Sequence, residues 1–365
     1  MTITTRAALL TAAGKPLELV DLTLRAPGPG EVLVRTETVG LCGTDLHFAA
    51  GRIPYRTPTV LGHEAAGVVA ETGPGVTGLK AGDRVIVCDR MYCGACGPCL
   101  SGRMVHCTDT SGRERQRTRL TLDGQPVNQY LGISALAETM LVDASALIAL
   151  PDALSFATGA LLSCCVTTGL AAVFNDLNPA PGTSILVAGC GGVGIAAIQA
   201  ARLAGCTTII AVDPDAERLA ASTFYGATHT IDPIMNDPAA CAVDLTDGGV
   251  EYAVEAVGDP EAARSVFCAL RPGGSAVVLG MMPAGADLVL PGRALRQGRR
   301  IAGSLMGSVR TPVDIPRFAR LVQAGRIQVE PMITSAHPLA ETNAALDAAA
   351  APGGLRATIS MRSLP

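Results

Sequence analysis

Four cysteines stand close together in the stretch YCGACGPCLSGRMVHC, residues 92–107. They are Cys93, Cys96, Cys99 and Cys107, with the spacing C-x2-C-x2-C-x7-C. Four reduced thiols close a tetrahedron around zinc and leave no coordination position for a substrate. The spacing therefore predicts a structural zinc. Four unliganded cysteines are the alternative, and a four-iron cluster usually has other spacings.

A second set of metal-binding residue types is more dispersed. Cys42 lies in GLCGTDLH, and His63 follows 21 residues later in LGHE. A catalytic zinc takes three protein ligands and keeps a fourth position open for substrate. The third ligand is Cys164 or Cys165, which are adjacent and precede a glycine-rich stretch. These residues predict a second zinc site, of the catalytic kind.

The glycine-rich stretch GCGGVG has the pattern of a dinucleotide-binding turn. Gly189, Gly191 and Gly194 match G-x-G-x-x-G, and Gly192 and Val193 complete the turn. An apolar strand, SILVA, precedes it and a helical run, VGIAAIQAARLAG, follows. The glycines allow a tight turn and a close approach of the backbone to a pyrophosphate, whose charge is favoured at the helix N-terminus. A glycine-rich turn without a dinucleotide is the alternative.

The next strand, TIIAVD, ends at an acidic residue. Asp213 stands 19 residues after Gly194. Its carboxylate can accept hydrogen bonds from the ribose hydroxyls and would repel a 2′-phosphate. We therefore expect NAD rather than NADP, although the basic Arg218 nearby softens this selection.

Composition excludes several classes of protein. The chain has 365 residues, of which 48% are apolar and 16% charged, and its net charge is −4. Such a chain folds compactly and is long enough for two domains. A negative charge disfavours nucleic acid as partner. No apolar run reaches the roughly 20 residues that span a bilayer. The N-terminus lacks the features of a secretory signal, so we expect a cytoplasmic protein with reduced cysteines.

The pattern of elements changes near residue 150. Before it, short apolar runs such as EVLVRTETVG and DRVIVCD are separated by glycine and proline clusters, which predicts a small barrel or sandwich of antiparallel strands. The run LSFATGALLSCCVTTGLAAVF then predicts helix. Beyond it, strands and helices alternate, which predicts a parallel sheet covered by helices. The C-terminal part predicts one helix, VDIPRFARLVQAG, and two short strands.

Taken together, GLCGTDLH, GHEAAGVV, the four-cysteine lobe, TTGL…GCGGVG and AVD resemble the zinc-dependent medium-chain alcohol dehydrogenases, in order from about residue 17 to 361. The resemblance implies an α/β fold with two domains. A β-rich GroES-like catalytic domain would comprise 1–165 and 306–365, with the structural zinc lobe at about 88–110. A doubly wound, parallel-sheet Rossmann domain would comprise 166–305.

The resemblance also implies roles for single residues. Cys42, His63 and Cys164 match the catalytic-zinc ligands, Cys164 because it stands four residues before the pair Thr168-Gly169. The resemblance also implies that Asp45 orients the ligand histidine and that Glu64 is the acidic residue behind the zinc. Thr44 and His47 would relay the proton. Thr168 would lie beside the nicotinamide, and Arg356 would contact the pyrophosphate. Gly43 departs from the family pattern, because many relatives carry Arg or His there against the pyrophosphate.

Six residues match the substrate pocket of the family: Ile53, Asp89, Tyr130, Leu131, Met281 and Leu305. Asp89 is the only charged residue among these six. Many relatives have an aromatic residue at that position. Its carboxylate either faces the pocket, favouring a substrate with a polar or cationic group, or pairs with Arg90.

These patterns predict an enzyme with two zinc ions and NAD that interconverts an alcohol and a carbonyl compound. One alternative is a formaldehyde dehydrogenase acting on a thiol adduct, because RLTLDGQPVNQYLGISALAETMLV is similar to a segment of those enzymes. Another is a zinc-stabilised dinucleotide sensor without catalysis, although a sensor has no need of an open metal site. The long segment from Cys107 to Cys164 is typical of the dimeric relatives, so we expect a homodimer.

Overall fold

The computed structural model describes residues 2–109, 111 and 119–361. The first part of the chain is rich in strands, as predicted. The strands up to residue 150 are β1 (Thr2–Leu10), β2 (Glu18–Arg25), β3 (Glu31–Leu41), β4 (Thr59–Val60), β5 (Glu64–Thr72), β6 (Arg84–Val87), β7 (Leu120–Leu122), β8 (Gln125–Gln129), β9 (Thr139–Asp143) and β10 (Leu147–Ala149). Five of them close a barrel in the order β1-β2-β7-β8-β4.

The later strands belong to two different sheets. They are β11 (Ser184–Ala188), β12 (Thr208–Val212), β13 (His229–Ile231), β14 (Val250–Glu255), β15 (Leu270–Val278), β16 (Arg300–Gly303), β17 (Ile333–Pro338) and β18 (Arg356–Ser360). Strands β17 and β18 join a seven-stranded sheet of order β10-β6-β5-β3-β18-β17, in which β9 also pairs with β3. The other six form the predicted parallel sheet, β13-β12-β11-β14-β15-β16.

Helices cover the parallel sheet and carry parts of the site. In the described residues they are α1 (Gly43–Ala49), α2 (Gly97–Leu100), α3 (Phe156–Ser163), α4 (Cys165–Ala171), α5 (Gly192–Ala204), α6 (Ala216–Tyr225), α7 (Pro238–Thr246), α8 (Pro260–Cys268), α9 (Gly292–Leu295), α10 (Thr311–Gln323) and α11 (Thr342–Ala350). The helix predicted after residue 150 is broken at Cys164, whose φ of −141° and ψ of −79° are not helical. At this break the backbone of Cys164 leaves the helical conformation, and a new helix, α4, begins at Cys165.

One hydrophobic core runs through both halves of the molecule. Ala66 and Ile86, on the seven-stranded sheet, belong to the same buried cluster as Ile185 and Ile198 of the parallel-sheet part. Helices α3 and α4 lie between the two sheets in this cluster. Since burial of apolar surface is the main stabilising contribution, this packing holds helix α5 against helix α4, which begins directly after Cys164.

In the described part of the chain, no single helix has the length and apolar character to cross a membrane. The bent pair Phe156–Ser163 and Cys165–Leu177 has them only in combination, across a 52° bend.

We expect Gly194→Ala to destabilise the fold. A Cβ at Gly194 would lie 1.7 Å from the carbonyl oxygen of Gly189, so strand β11 and helix α5 would have to separate. Overpacking of this kind costs about 1–3 kcal/mol, measurable by denaturant unfolding. Gly191→Ala is the matched control, because a Cβ there meets nothing within 4 Å. Equal unfolding free energies for the two variants would contradict the close approach.

Candidate active site

The buried carboxylate of Asp45 organises the first half of the site. Asp45 accepts a hydrogen bond from the backbone N–H of Cys42 at 3.0 Å and from that of Gly62 at 3.2 Å. Its Oδ1 also lies 3.2 Å from Nδ1 of His63. A donor at Nδ1 leaves Nε2 of His63 with a free lone pair, which is the state a metal-binding histidine needs. Asp45 therefore joins the start of α1 to the residues that precede β5.

Four potential metal ligands meet at this point. One ligand atom each from Cys42, His63, Glu64 and Cys164 lies within 4.8 Å of all the others. Two thiols and an imidazole are a donor set that suits zinc. One carboxylate oxygen of Glu64, the buried Oε2, has no hydrogen-bond partner among the described residues. The residues therefore fit a zinc ion.

The geometry distinguishes the two adjacent cysteines. Cys164, at the helix break, belongs to the cluster, whereas Cys165 is fully buried and its thiol donates to the carbonyl of Leu161 at 3.6 Å. Hydrogen bonding between Cys164 and Cys42 lowers the pKa of Cys42 well below its ordinary value and raises that of Cys164. Arg356 also lowers the pKa of Cys42, so one thiolate is favoured even without a metal charge.

An arginine links this cluster to the glycine-rich turn. Nη2 of Arg356 donates to Glu64 at 3.0 Å and lies 3.9 Å from the sulfur of Cys42, while Nη1 donates to the carbonyl of Leu41 at 3.2 Å. Burial raises the pKa of Glu64 to about 7, although Arg356 opposes this rise. On its other side the guanidinium packs against Gly192, where a Cβ would lie 2.9 Å from Nε.

The residues expected to relay a proton lie on α1. The hydroxyl of Thr44 is 3.6 Å from the sulfur of Cys42. His47 stands one turn further along and, like Thr44, lines the large cleft. Burial and the charge of Arg52 lower the pKa of His47. A neutral imidazole at neutral pH can accept a proton.

A cleft of about 810 Å³ is lined by Cys42 of the metal-ligand cluster and by the glycine-rich turn. Its lining includes the predicted cofactor residues Gly191, Gly192, Val193, Arg218 and Arg356. Gly43 also lines it, and a Cβ there would meet nothing within 4 Å. The cleft thus has the size and backbone composition for an extended cofactor.

The other predicted cofactor residues are Thr168, Gly189, Gly194 and Asp213, and none of them is in the lining of this cleft. Asp213, which is buried, accepts from the backbone N–H of Cys190 at 2.7 Å and of Asp215 at 2.9 Å, which fixes it beside the turn. Thr168 is buried on α4. Gly189 has a φ of +91°, a left-handed conformation that glycine adopts at little cost.

The six predicted pocket residues are not all placed on the cleft. Met281 lines it, whereas Ile53 and Leu131 pack against the barrel core, Tyr130 is fully buried, and Leu305 is partly exposed. The carboxylate of Asp89 forms an ion pair with the guanidinium of Arg90. Of the two interpretations of Asp89, the geometry supports the pairing with Arg90, because its charge is already compensated.

The four-cysteine lobe forms a second cluster. One sulfur from each of Cys93, Cys96, Cys99 and Cys107 lies within 4.8 Å of the other three. Backbone N–H groups point at these sulfurs, for instance that of Cys96 at 3.3 Å from the sulfur of Cys93. Hydrogen bonds from the backbone of Thr108 and Cys99 lower the pKa of Cys96 to about 6. Such donors stabilise thiolates, the form that binds zinc.

Some residues of the cleft were not predicted from the sequence. Lys15 and Arg52 add positive charge to its lining. Outside the lining, Asp215 just before α6 accepts a hydrogen bond from the backbone N–H of Gly353 at 2.5 Å. No local motif marks these residues, because only the folded chain brings them to these positions.

Comparison with known proteins gives the family. Residues 28–152 match the family described as alcohol dehydrogenase GroES-like domain, and residues 192–324 match the zinc-binding dehydrogenase family. The chain is 36% identical to the alcohol dehydrogenase class-3 of Cereibacter sphaeroides over 373 residues, 97% of this chain and 99% of the relative. This chain belongs to the zinc-dependent medium-chain alcohol dehydrogenases.

Other members of the family show the same likeness. The S-(hydroxymethyl)glutathione dehydrogenase of Paracoccus denitrificans is 33% identical over 371 residues, 97% of this chain and 99% of that protein. The crystal structure of the benzyl alcohol dehydrogenase of Acinetobacter calcoaceticus has a TM-score of 0.92 at 30% identity, covering 99% of this chain and 100% of the other. The predicted fold class, with a GroES-like and a Rossmann part, is confirmed. The protein is a zinc-containing oxidoreductase whose family acts on small-molecule alcohols.

We expect Cys107→Ser to lower the zinc content of this alcohol dehydrogenase from two ions per chain to one. A serine hydroxyl replaces one of four thiolates, and zinc sites with a missing thiolate bind weakly. Metal analysis of the purified protein measures the loss. Cys241→Ser is the control, because that cysteine lies outside both clusters, and its zinc content should stay at two. Two ions retained in Cys107→Ser would contradict the structural site.

Proposed function

We propose that this chain oxidises a primary or secondary alcohol, reversibly, with NAD as the hydride acceptor. The observation that carries the proposal is the cluster of Cys42, His63, Glu64 and Cys164, whose Cys42 also lines the cleft along the glycine-rich turn. A metal-ligand cluster beside a dinucleotide turn would place the alcohol and the cofactor within reach of each other. A sensor without catalysis would need no such cluster.

Cys42, His63 and Cys164 would hold the catalytic zinc, and Glu64 lies within 4.8 Å of their ligand atoms. Zinc bound there supplies Lewis-acid polarisation of the alcohol or carbonyl oxygen. Asp45 keeps His63 in the tautomer that presents Nε2, through the 3.2 Å contact at Nδ1. The ion pair between Arg356 and Glu64 keeps a positive charge 3.9 Å from the sulfur of Cys42.

Two residues of α1 are placed to remove the alcohol proton. Thr44, beside Cys42, would accept it first, and His47 would accept it further out on the cleft wall. The lowered pKa of His47 leaves the imidazole neutral above that pKa, so the acceptor is present at neutral and alkaline pH and is lost as the pH falls. Proton transfer of this kind contributes about 10²-fold or more to rate.

NAD is preferred over NADP in this proposal. Gly189, Gly191, Gly192, Val193 and Gly194 would provide the turn for the pyrophosphate, and Thr168 would lie beside the nicotinamide. Arg218 and Arg356 line the cleft. The carboxylate of Asp213 is held beside the turn by two backbone N–H groups. A fixed negative charge there disfavours a 2′-phosphate.

The curated relatives favour a second candidate. Those at 36% and 33% identity are named class-3 alcohol dehydrogenase and S-(hydroxymethyl)glutathione dehydrogenase. The same site would then oxidise the adduct of formaldehyde and a cellular thiol. The adduct is itself a carbinol, so the roles of the zinc ligands and of α1 do not change.

The arrangement of sheets supports the proposed domains. All strands of the parallel sheet fall within 166–305, whereas β17 and β18, from 306–365, join β3 of the N-terminal part.

We also propose a homodimer in the cytoplasm. The edge strand β16 and the exposed side chains of Val289 and Leu295 near it support self-association, because an open sheet edge readily pairs with another chain.

His47→Gln should reduce kcat/KM about ten- to a hundredfold at pH 6.5–7.5 and much less near pH 10. Glutamine cannot accept the proton, and at high pH hydroxide takes over. Steady-state rates across this pH range measure the effect. His229→Gln, an exposed histidine far along the chain on β13, is the control and should show the wild-type profile. A pH-independent loss in His47→Gln would remove His47 from the proton path.

The proposal is tested by mixing zinc-loaded protein with NAD or NADP and a panel of alcohols, with and without glutathione plus formaldehyde, and following reduced nicotinamide by absorbance. NAD-dependent oxidation of simple alcohols without thiol supports the first candidate. Turnover of formaldehyde only when the thiol is present supports the second. No turnover with any of these, although zinc and NAD are bound, would contradict both.

A further inference from the structure

Two separate parts of the molecule line the cleft where the chain approaches strand β18. Gly354, Leu355 and Arg356 belong to the C-terminal segment, whose strand β18 joins the seven-stranded sheet. Arg218 belongs to helix α6, which follows strand β12 of the parallel sheet. We call residues 353–356 the strap, because this segment is bonded to the start of α6.

One aspartate makes that bond. Asp215 precedes α6, and its Oδ1 accepts from the backbone N–H groups of Glu217 at 2.9 Å and Arg218 at 3.1 Å. Its other oxygen, Oδ2, accepts from the backbone N–H of Gly353 at 2.5 Å. Hydrogen bonds to an ionised acceptor are stronger than those between neutral groups. Asp215 therefore caps its own helix with one oxygen and holds the strap with the other.

The strap lies directly against the first turn of α6. Gly353 has a φ of +75°, in the left-handed region that favours glycine. A Cβ at this position would lie 2.0 Å from Oε2 of Glu217. Any side chain here would therefore separate the strap from the helix.

The strap contacts the nucleotide side of the cleft at two points. At one end Gly353 is bonded to Asp215, whose own backbone N–H donates to Oδ1 of Asp213, the predicted ribose acceptor, at 2.9 Å. At the other end Arg356 packs against Gly192 of the glycine-rich turn. A cofactor bound along this turn would therefore have the strap beside it.

We propose that the hydrogen bond between Asp215 and Gly353 holds the strap beside bound NAD and slows release of the cofactor, which makes Asp215 a positioning residue. The bond joins the two parts of the molecule that line the cleft, so its loss would let them separate there. Most losses of affinity among variants of one complex are faster dissociation. This inference rests on the proposed function, because it takes NAD as the occupant of the cleft.

The test variant is Asp215→Asn. Asparagine keeps an oxygen to cap α6 but places an NH2 group against the N–H of Gly353, so that two donors face each other. Dissociation of NADH from the zinc-loaded protein, followed by stopped-flow fluorescence of the reduced nicotinamide, should become about tenfold faster. Asp237→Asn is the matched control, because Asp237 caps α7 through the N–H of Ala239 at 2.9 Å and does not line the cleft. Its dissociation rate should be that of the wild type.

The direction of the change separates the strap from simple electrostatics. Nε of Arg218 lies 3.8 Å from Oδ2 of Asp215. Removing that negative charge would by itself strengthen the binding of a negatively charged cofactor. Slower or unchanged release in Asp215→Asn would therefore overturn the inference. Equal acceleration in Asp237→Asn would also overturn it, because capping alone would then explain the effect.

Amide hydrogen exchange gives a readout that does not depend on turnover. In the NADH complex, peptides covering 351–355 should exchange faster in Asp215→Asn than in the wild type, whereas peptides within α6 should not. The variant should keep its fold, because Gln199 still joins α5 to the backbone of Gln328 by hydrogen bonds of 3.0 and 2.7 Å. Unchanged exchange at 351–355 would contradict a strap held by Asp215.

Kinetics separate this positioning role from the chemistry. The KM for NAD should rise in Asp215→Asn, whereas the single-turnover rate at saturating NAD should stay at the wild-type level, because Asp215 lies outside both metal-ligand clusters. A slower single turnover with unchanged NADH release would overturn the inference. Failure of the wild type to bind NADH would contradict the proposed function itself. Wild-type binding with equal release in all three proteins would contradict only the strap.

Discussion

The site depends on one buried carboxylate, that of Asp45. It accepts hydrogen bonds from the backbone of Cys42 and Gly62 and contacts Nδ1 of His63, while its side chain is fully buried. A buried charge is tolerated only when it is well paired, so these three contacts are mutually dependent. They hold the start of α1 and the start of β5 at the distance a shared metal ion needs. Loss of the carboxylate would affect both ligands together.

A second set of contacts joins this cluster to the nucleotide side. Arg356 connects Glu64 and the Leu41 carbonyl on one side with Gly192 on the other. The side chain of arginine can make several directed hydrogen bonds from one fixed plane, which suits such a position. Because β18 carries Arg356 and pairs with β3, the C-terminal strand is part of the metal site as well as of the sheet. The metal-ligand cluster therefore lies next to a sheet built from strands of both the N-terminal and the C-terminal parts of the chain.

Much of this could be predicted from the sequence, and the limits have physical causes. The fold class and the two cysteine-containing clusters follow from motifs whose spacing is itself the constraint. Spacing alone left Cys164 and Cys165 open, and the family resemblance selected Cys164. In the structure Cys164, at the helix break, belongs to the cluster and Cys165 does not. The pairing of Asp89 with Arg90, and the contribution of Lys15 to the cleft, depend on side-chain directions and distant segments. No local pattern encodes these.

The most direct test of the central claim is anomalous diffraction at the zinc absorption edge from crystals of the zinc-loaded protein. The account predicts two peaks per chain. One should lie between Cys42, His63 and Cys164, and the other between the four cysteines of the lobe. A single peak in the lobe, with nothing at Cys42, would show that the cluster at the cleft is not a zinc site and would contradict the proposed chemistry.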